Sequence, residues 1–150
     1  MDDLTPVQRR KNMQNIRSKD TEIELLLRRA LWHSGIRYRK HYDRLPGKPD
    51  IAITKYKIAV FCDGEFFHGK DWHKLEEKLK NSNNSEYWVK KIQRNIERDQ
   101  EVDALIRAQG WSVIRFWGRD IKRNLEACLC VVNDAIQDRI VERTGGDGYD

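Results

Sequence analysis

The spacing of apolar residues along the chain predicts three main helices. The first begins behind cap residues at 18–20 and ends before Gly35. Its apolar stripe consists of Ile23, Leu26, Leu27, Ala30 and Leu31. A long helix is predicted from Ser85 to about Gln109, and a final amphipathic helix over 124–143. Thr5-Pro6 predicts a short helix or a basic arm through Ile16.

Short apolar runs predict four strands, at 37–42, 50–53, 58–62 and 112–117. The polar run 63–84, between the third strand and the long helix, is predicted to be an irregular and functional loop. Because the last strand follows a helical crossover, it can pair in parallel with a neighbour. The order helix, three strands, helix, strand, helix therefore predicts an α/β fold with a mixed sheet flanked by helices.

Composition and charge indicate one domain that binds polyanions. With 150 residues, 39% hydrophobic and 35% charged, the chain is expected to form a single domain at 18–143, a basic arm at 1–17 and a flexible tail at 144–150. The net charge is +5, and basic runs lie at 8–12 and 37–41. This pattern favours nucleic acid as the partner, with a merely solubilising surface as the alternative.

Several classes of protein are disfavoured. No apolar run approaches the ~20 residues that span a bilayer, and the N-terminus lacks the apolar core of a signal peptide. A cytoplasmic protein with no membrane partner is therefore expected. The three cysteines include no CxxC motif, which argues against a disulfide framework. Cys128 and Cys130 lie at i and i+2 of a predicted helix, on different faces, so they do not form a zinc site.

Carboxylates are predicted to meet at one edge of the sheet. Asp50 begins one strand and Asp63 closes the next, so a hairpin brings them side by side. Glu24, beside the apolar stripe of the first helix, can reach the same edge. Clustered carboxylate oxygens suit Mg²⁺, which polarises a phosphodiester. His68 is a candidate for moving a proton to or from the attacking water, although a loop histidine is more often a surface residue.

Aromatic residues beside this edge suggest contact with DNA. Phe66 and Phe67 lie in a polar loop, and adjacent rings can wedge between base pairs and kink a duplex. Trp88, at the start of the long helix, offers a second stacking surface. For its neighbour Tyr87, packing in the core is the favoured interpretation.

Cations on the long helix share one face. They are Lys91, Arg94 and Arg98. They can bind phosphates, or they can form a solvated face paired with Glu97 and Asp99; the sequence leaves both open. The basic arm is assigned to DNA on the same charge argument, through Arg9, Arg10 and Lys11.

Six stretches make the chain resemble the very short patch repair (Vsr-type) DNA mismatch endonuclease family. They are RKNMQNI at 10–16, DTEIE at 20–24, LPGKPD at 45–50, VFCDGEFFHG at 60–69, YWVKKIQRNIERD at 87–99 and GWSVIRFW at 110–117. The resemblance implies a restriction-endonuclease-like (PD-(D/E)XK) fold, Mg²⁺ as cofactor and double-stranded DNA as partner. It implies nicking on the 5′ side of the thymine in a T·G mismatch left by deamination of 5-methylcytosine. A monomer is expected, with mismatch-repair proteins as candidate partners.

The resemblance also implies roles for individual residues. Asp50 matches the metal-binding aspartate, and Cys62 stands where a further metal contact is made through a main-chain oxygen. Asp63 occupies a position that is Asp or His in the family. His68 matches the catalytic histidine, and Glu24 matches an acidic helix residue near the metal. The intercalating aromatics are matched by Phe66, Phe67 and Trp88, with Phe67 where the family usually has Trp.

One departure from the family concerns zinc. The family typically has a structural zinc site, with ligands in the loop after the third strand and after the last strand. Here those places hold Glu65, residues 70–72 and Gly118-Arg119, and His73 alone cannot replace the missing ligands. We therefore expect no structural zinc, and the loop must be held in another way.

Two other functions remain open from the sequence. One is a nuclease of the same fold that serves restriction or defence without mismatch specificity. The other is a non-catalytic basic DNA-binding module in which the acidic cluster is only structural. Metal-dependent cleavage that Asp50→Ala removes separates an enzyme from a binder, and a T·G duplex compared with a paired duplex separates the two enzymes.

Overall fold

A computed structural model describes residues 20–64, 70–80 and 85–147. The predicted arm or helix at 5–16 lies outside these ranges. The described elements, in chain order, are α1 (Glu22–His33), β1 (Arg39–Lys40), β2 (Ile51–Ile53), β3 (Ile58–Asp63), α2 (Trp72–Lys80), α3 (Ser85–Ala108), β4 (Ser112–Trp117), α4 (Gly118–Arg123) and α5 (Leu125–Asp147). Among the described residues, no helix combines the length and apolar character that a membrane span requires.

The strands form one mixed sheet in the order β1-β2-β3-β4. β2 pairs antiparallel with β3, with Ile51 opposite Val60, and β1 pairs antiparallel with β2. β3 and β4 are parallel, with Asp63 opposite Trp117. The long helix α3 provides the crossover that parallel pairing requires. The predicted α/β fold with a mixed sheet flanked by helices is confirmed.

Alternation along the strands creates two apolar layers. Ile58 and Val60 of β3 face a core that also contains residues of α1, α4 and α5, including Leu27, Leu31, Ile121, Val132 and Ile136. Ala59 and Phe61 face the opposite side, where Ile106 of α3 covers them. Asp63 continues the series of Ala59 and Phe61, so its side chain belongs to the α3 side of the sheet.

The loop between β1 and β2 is held closely against α3. Gly47 has a φ of +73°, and a Cβ atom on it would lie 2.5 Å from Cγ1 of Val102. A larger residue is therefore excluded by both the backbone conformation and the contact. At the end of this loop, the Tyr42 amide donates to the Pro49 carbonyl at 2.9 Å and the His41 amide donates to the Asp50 carbonyl at 3.0 Å. These contacts fix where β2 begins.

The predicted irregular loop at 63–84 is wrong in its second half, where α2 forms. Trp72, Leu75 and Leu79 are spaced three and four apart, a helical pattern that the many polar neighbours obscured. The Asp71 carbonyl accepts hydrogen bonds from the amides of Lys74 and Leu75 at the start of this helix.

Element boundaries also differ from the prediction. β1 covers two residues rather than 37–42, and it ends before His41, whose φ of 46° is incompatible with an extended strand. The six-residue helix α4 has too few positions to show a period and was not predicted. α5 continues to Asp147, into the segment predicted as a flexible tail.

Candidate active site

A cleft of about 530 Å³ opens at the end of the sheet where β2 begins and β3 ends, between α1 and α3. Its lining includes Glu24, Asp50, Cys62, Asp63, Arg98, Asp99 and Arg115. The antiparallel pairing of β2 with β3 brings Asp50 and Asp63 to this edge, as the sequence predicted. Glu24 reaches it from the first turn of α1.

Asp50 lies in the part of the cleft that lacks a direct cationic partner in the described residues. Its Oδ2 accepts a hydrogen bond from the Cys62 amide at 2.7 Å. Burial raises the pKa of Asp50 to about 6, and the nearby carboxylates of Glu24 and Asp63 add to the rise. A bound cation would offset both effects, because it favours the ionised carboxylate.

The side chain of Cys62 is not suited to bind a metal as a thiolate. Burial raises the pKa of its thiol, and the charge of Asp50 raises it further. The side chain is therefore a neutral thiol at physiological pH, whereas metals bind the thiolate. Any contribution of Cys62 to a Mg²⁺ site comes from its main chain, as the resemblance implies.

Asp63 has a direct cationic partner. It is 5% exposed, and both of its carboxylate oxygens accept hydrogen bonds from NH1 of Arg115 at 3.1 Å. Nη2 of Arg115 donates to Oδ1 of Asp103 at 2.8 Å, and Nη1 lies 3.7 Å from Oδ1 of Asp99. Burial opposes the charge on Arg115, but the hydrogen bonds to Asp103 and the surrounding carboxylates outweigh it and raise its pKa. The carboxylate of Asp63, which the sequence assigned to a metal ion, thus has an arginine as its neighbour in the described residues.

Glu24 is 3% exposed and is fixed by a small polar network. Its Oε2 accepts a hydrogen bond from the Asp20 amide at 2.9 Å and lies 3.7 Å from Nε2 of His41. Nε2 is also 3.2 Å from Oδ1 of Asp20, to which Arg28 donates at 2.9 Å. The hydrogen bonds from His41 and then Arg28 lower the pKa of Asp20. The network keeps the Glu24 carboxylate in one orientation at the cleft.

The same network has one feature of a metal site. Asp20, Glu24 and His41 each place a ligand atom within 4.8 Å of the others. A divalent ion there would have to displace the guanidinium of Arg28 from Asp20. Asp20 and His41 also have left-handed φ angles, of 56° and 46°. Such angles persist where surrounding contacts hold them, and here the hydrogen bonds around Glu24 do so.

The start of α3 presents an aromatic pair with a cation. Tyr87 is 58% exposed, so the prediction that it packs in the core is wrong. Its ring centroid lies 5.2 Å from that of the half-buried Trp88. Nζ of Lys91 is 5.8 Å from the Tyr87 ring and 5.9 Å from the Trp88 ring. Further along the helix Arg94 is exposed, and Arg98 lines the cleft.

Several predicted site residues lie outside the described residues. They are Arg9, Arg10, Lys11, Phe66, Phe67 and His68. The places where the family has zinc ligands are partly described: Lys70 lies with its Nζ 5.9 Å from the ring of Trp117, which connects this segment to the end of β4. The absence of zinc stays a prediction.

Sequence reasoning missed two residues of the site. Arg115 stands in the apolar strand SVIRFW, and a lone charge in such a strand is a signal for a buried ion pair. His41 was noticed only as part of a basic run. Its contact with Glu24 depends on a backbone angle that the sequence does not reveal.

Comparison with known proteins identifies similar nucleases. A model of the family described as DNA mismatch endonuclease Vsr matches residues 1–74. Type II nicking enzyme V.NmeDIP of Neisseria meningitidis serogroup C is 48% identical over 139 residues, which cover 93% of each chain. V.HpaIIP, a type II nicking enzyme of Haemophilus parainfluenzae, is 43% identical over 94% of this chain and 99% of its own length. DNA mismatch endonuclease Vsr of Escherichia coli K12 is 29% identical over 93% of this chain and 85% of its own.

Proposed function

This chain belongs to the Vsr family of DNA endonucleases, and we propose that it nicks one strand of duplex DNA at a T·G mismatch with Mg²⁺ as cofactor. The observation that carries the proposal is the surroundings of Asp50. Its half-buried carboxylate accepts a hydrogen bond from the Cys62 amide at 2.7 Å. Its pKa is raised to about 6, in part by the nearby carboxylates of Glu24 and Asp63. Such a site favours a divalent cation.

The oxygen-rich end of the cleft fits Mg²⁺. We assign the ion to Asp50 and the main-chain oxygen of Cys62, because the neutral thiol and the arginine-bound Asp63 are poorer ligands. When bound, Mg²⁺ polarises the scissile phosphate and stabilises charge on the leaving oxygen. Asp63, which the sequence assigned to the metal, is proposed to hold Arg115 at the cleft.

The remaining groups have separate tasks in this proposal. The fixed carboxylate of Glu24 accepts a hydrogen bond from the attacking water and orients it. His68 moves the proton, as the resemblance implies. Phe66, Phe67 and Trp88 enter the base stack, where each base stacked on a ring contributes roughly 1–3 kcal/mol. The phosphates are bound by Arg9, Arg10, Lys11, Lys91, Arg94 and Arg98.

A strand-specific assay tests the activity. A duplex with one T·G pair and the same duplex with C·G are labelled on each strand in turn and incubated with Mg²⁺ or with EDTA. We expect one nick, in the strand that carries the thymine, only with Mg²⁺ and only with T·G. Equal nicking of both duplexes would favour the restriction or defence nuclease of the same fold. No nicking with any divalent ion would overturn the proposal.

The aromatic loop is tested by the Phe66→Ala, Phe67→Ala double variant. If the rings enter the stack, affinity falls more for the T·G duplex than for the paired one, because opening a step costs least where pairing is weak. Replacing Lys91 and Arg94 instead weakens both duplexes equally. A melting curve provides the control. A stable double variant with undiminished discrimination would exclude these rings from mismatch recognition.

We also propose that the protein acts as a monomer without structural zinc. The family's zinc-ligand positions are occupied here by residues that do not bind zinc, such as Lys70 and Gly118. Elemental analysis is expected to find much less than one zinc per chain, and light scattering after gel filtration is expected to give the mass of one chain. About one tightly held zinc per chain would contradict the first expectation.

A further inference from the structure

A second groove, of about 690 Å³, runs along the outer edge of the sheet. β1 is the terminal strand of the sheet in the described residues, so its outer side has no strand partner there. The side chains that matter for the argument are Trp32, Arg39, Lys40, His41, Asp43 and Arg44. The proposed active site uses only His41 from this set.

The charge of the groove is mainly positive. Arg39, Lys40 and Arg44 are exposed, and Asp43 is the acidic residue among them. Within residues 20–64, 70–80 and 85–147, none of the three cations makes an ion pair. A cluster of cations without acidic partners is repulsive unless a polyanion neutralises it. The sequence had singled out this run, RYRKH, without giving it a task.

An aromatic ring holds a fourth cation beside the groove. Trp32 is 51% exposed, and the guanidinium carbon of Arg37 lies 3.6 Å from the centre of its ring. NH1 of Arg37 also donates to the Trp32 carbonyl at 3.1 Å. Stacking on the ring orders the guanidinium. Its N–H groups lie in the guanidinium plane and can still donate to a phosphate. Arg37 therefore loses less side-chain entropy than a mobile arginine when it binds a phosphate.

The groove adjoins the active-site cleft. His41 lines the groove, and its amide donates to the carbonyl of Asp50, which lines the cleft, at 3.0 Å. One backbone hydrogen bond therefore separates the two surfaces. A DNA strand with its scissile phosphate at Asp50 can therefore continue towards β1 and its exposed cations.

We propose that this groove binds the sugar-phosphate backbone of the DNA flank on one side of the nick. The proposal rests on the proposed endonuclease function and extends it beyond the active site. Contacts of this kind hold the duplex in register and carry no sequence information. The groove should therefore contribute equally to the affinity for mismatched and for paired DNA.

A pair of matched charge variants tests the groove. The test variant is Arg39→Gln with Lys40→Gln. The control is Lys55→Gln with Lys57→Gln, in the turn between β2 and β3 at the opposite end of the sheet. Both variants change the net charge by the same amount, and both must melt at the temperature of the parent protein.

The readout is the affinity for T·G and paired duplexes as a function of salt. Each lost phosphate contact should reduce the slope of log K against log salt by about 0.9. We expect the test variant to show this on both duplexes and the control to keep the parent slope. Equal slopes for the two variants would overturn the proposal.

A truncation series identifies the flank. Duplexes are shortened stepwise from one side of the mismatch and then from the other. The parent should lose affinity on shortening one side, and the test variant should not respond to that shortening. Under saturating DNA the cleavage rate of the test variant should stay within about twofold of the parent, while KM rises. A large loss of rate with KM unchanged would place these cations in the chemistry and contradict the proposal.

The outcome is independent of mismatch recognition. If the enzyme nicks paired DNA as well as T·G duplexes, the proposed substrate fails but the slope comparison still applies. If T·G nicking is confirmed and the slopes of the two variants agree, only the groove proposal fails.

Discussion

Asp50 and Asp63 reach the same cleft from adjacent strands, yet their surroundings are opposite. Asp63 is the more buried of the two and has both oxygens on Arg115. Asp50 is less buried. Among the described residues its carboxylate accepts one hydrogen bond, from the Cys62 main-chain amide, and its pKa is raised to about 6. Burial alone therefore does not decide which carboxylate needs a cation. The presence of a built-in cationic partner decides it.

The parallel pairing of β3 with β4 explains the difference, because it brings Arg115 to Asp63. Asp63 falls on the α3 side of the sheet, where Arg115 projects from the parallel strand β4 and contacts the Phe61 ring at 4.0 Å. Asp99 and Asp103 of α3 complete that arrangement, so three carboxylates surround one guanidinium. Asp50 and Glu24 face each other at the other end of the cleft, where the charge of Glu24 helps to raise the pKa of Asp50. A divalent ion at Asp50, as proposed, would supply the cation that Asp50 lacks among the described residues.

The largest expected effect concerns cleavage. Asp50→Asn should lower the single-turnover rate with Mg²⁺ by a factor on the order of 10³, because a neutral amide is a poor ligand and metal stabilisation of the transition state is lost. Asp63→Asn should cost only about tenfold, because the amide oxygen still accepts from Arg115. The rates are measured on a T·G duplex over a range of Mg²⁺ concentrations.

Both variants must first bind DNA as the parent does, which a titration in Ca²⁺ or without metal establishes. Equal losses in the two variants would mean that Asp50 and Asp63 share the ion and do not differ in their need for a cation. A fully active Asp50→Asn enzyme would exclude the whole site.

The next effect concerns stability on the arginine side. Arg115→Met keeps the volume of the side chain but leaves Asp63, Asp99 and Asp103 without their shared cation. Removing one partner of a buried ion pair costs roughly 3–5 kcal/mol, so the melting temperature should fall by about 10 °C or more. Differential scanning calorimetry measures it.

Arg98→Gln is the matched control, because Arg98 lines the same cleft but is exposed. It should change stability by less than about 0.5 kcal/mol. If the two variants melt together, Arg115 is not the structural centre of this side of the cleft.

The approach of Asp50 to Asp63 could be predicted, because two short strands with a turn form a hairpin whose ends meet. Glu24 could be placed from the helical stripe behind it. The pairing of Asp63 with Arg115 could not, because the two residues are 52 positions apart and meet only through the parallel register of β3 with β4. That register depends on how α3 packs, and no local pattern encodes it.

The contact of His41 with Glu24 could not be predicted from the sequence either. It requires a left-handed backbone at a non-glycine residue, which local preferences disfavour and tertiary contacts impose. The helix α2 was missed for another reason. Its apolar positions are few, and the polar residues between them resemble a loop.

A smaller effect is the pH dependence that Asp50 gives to the stability of the protein. The pKa of Asp50 rises from an ordinary value of 3.8 to about 6 on folding. The protonated form is therefore favoured in the folded state, and the ionised form destabilises it. This cost is absent below about pH 4, grows as the pH rises through 6 and is complete above it. Asp50→Asn should remove the cost, which is up to about 3 kcal/mol for a pKa rise of this size.

In EDTA at pH 7.5, Asp50→Asn should thus melt a few degrees above the parent protein, and the difference should vanish near pH 4. Added Mg²⁺ should raise the melting temperature of the parent and leave the variant unchanged. An Asp50→Asn protein that is less stable than the parent at pH 7.5 without metal would show that other groups of the protein already stabilise the charge of the Asp50 carboxylate. Asp50 and Asp63 would then not differ in their need for a cation.

The smallest effect tests the network around Glu24. Carboxylate oxygens accept hydrogen bonds, so we assign the ring proton of His41 to Nε2, which lies 3.2 Å from Asp20 and 3.7 Å from Glu24. His41→Leu removes this donor, and the cleavage rate should fall by about three- to tenfold, below the range for groups that orient a metal ligand directly. His41→Gln retains an N–H donor and should recover most of the rate, which a purely steric function would not explain. DNA affinity should be unchanged in both, because both variants retain Arg39, Lys40 and Arg44 of the groove. If metal analysis found zinc or manganese bound in the parent and lost in His41→Leu, the cluster of Asp20, Glu24 and His41 would be a metal site and not a network that orients Glu24.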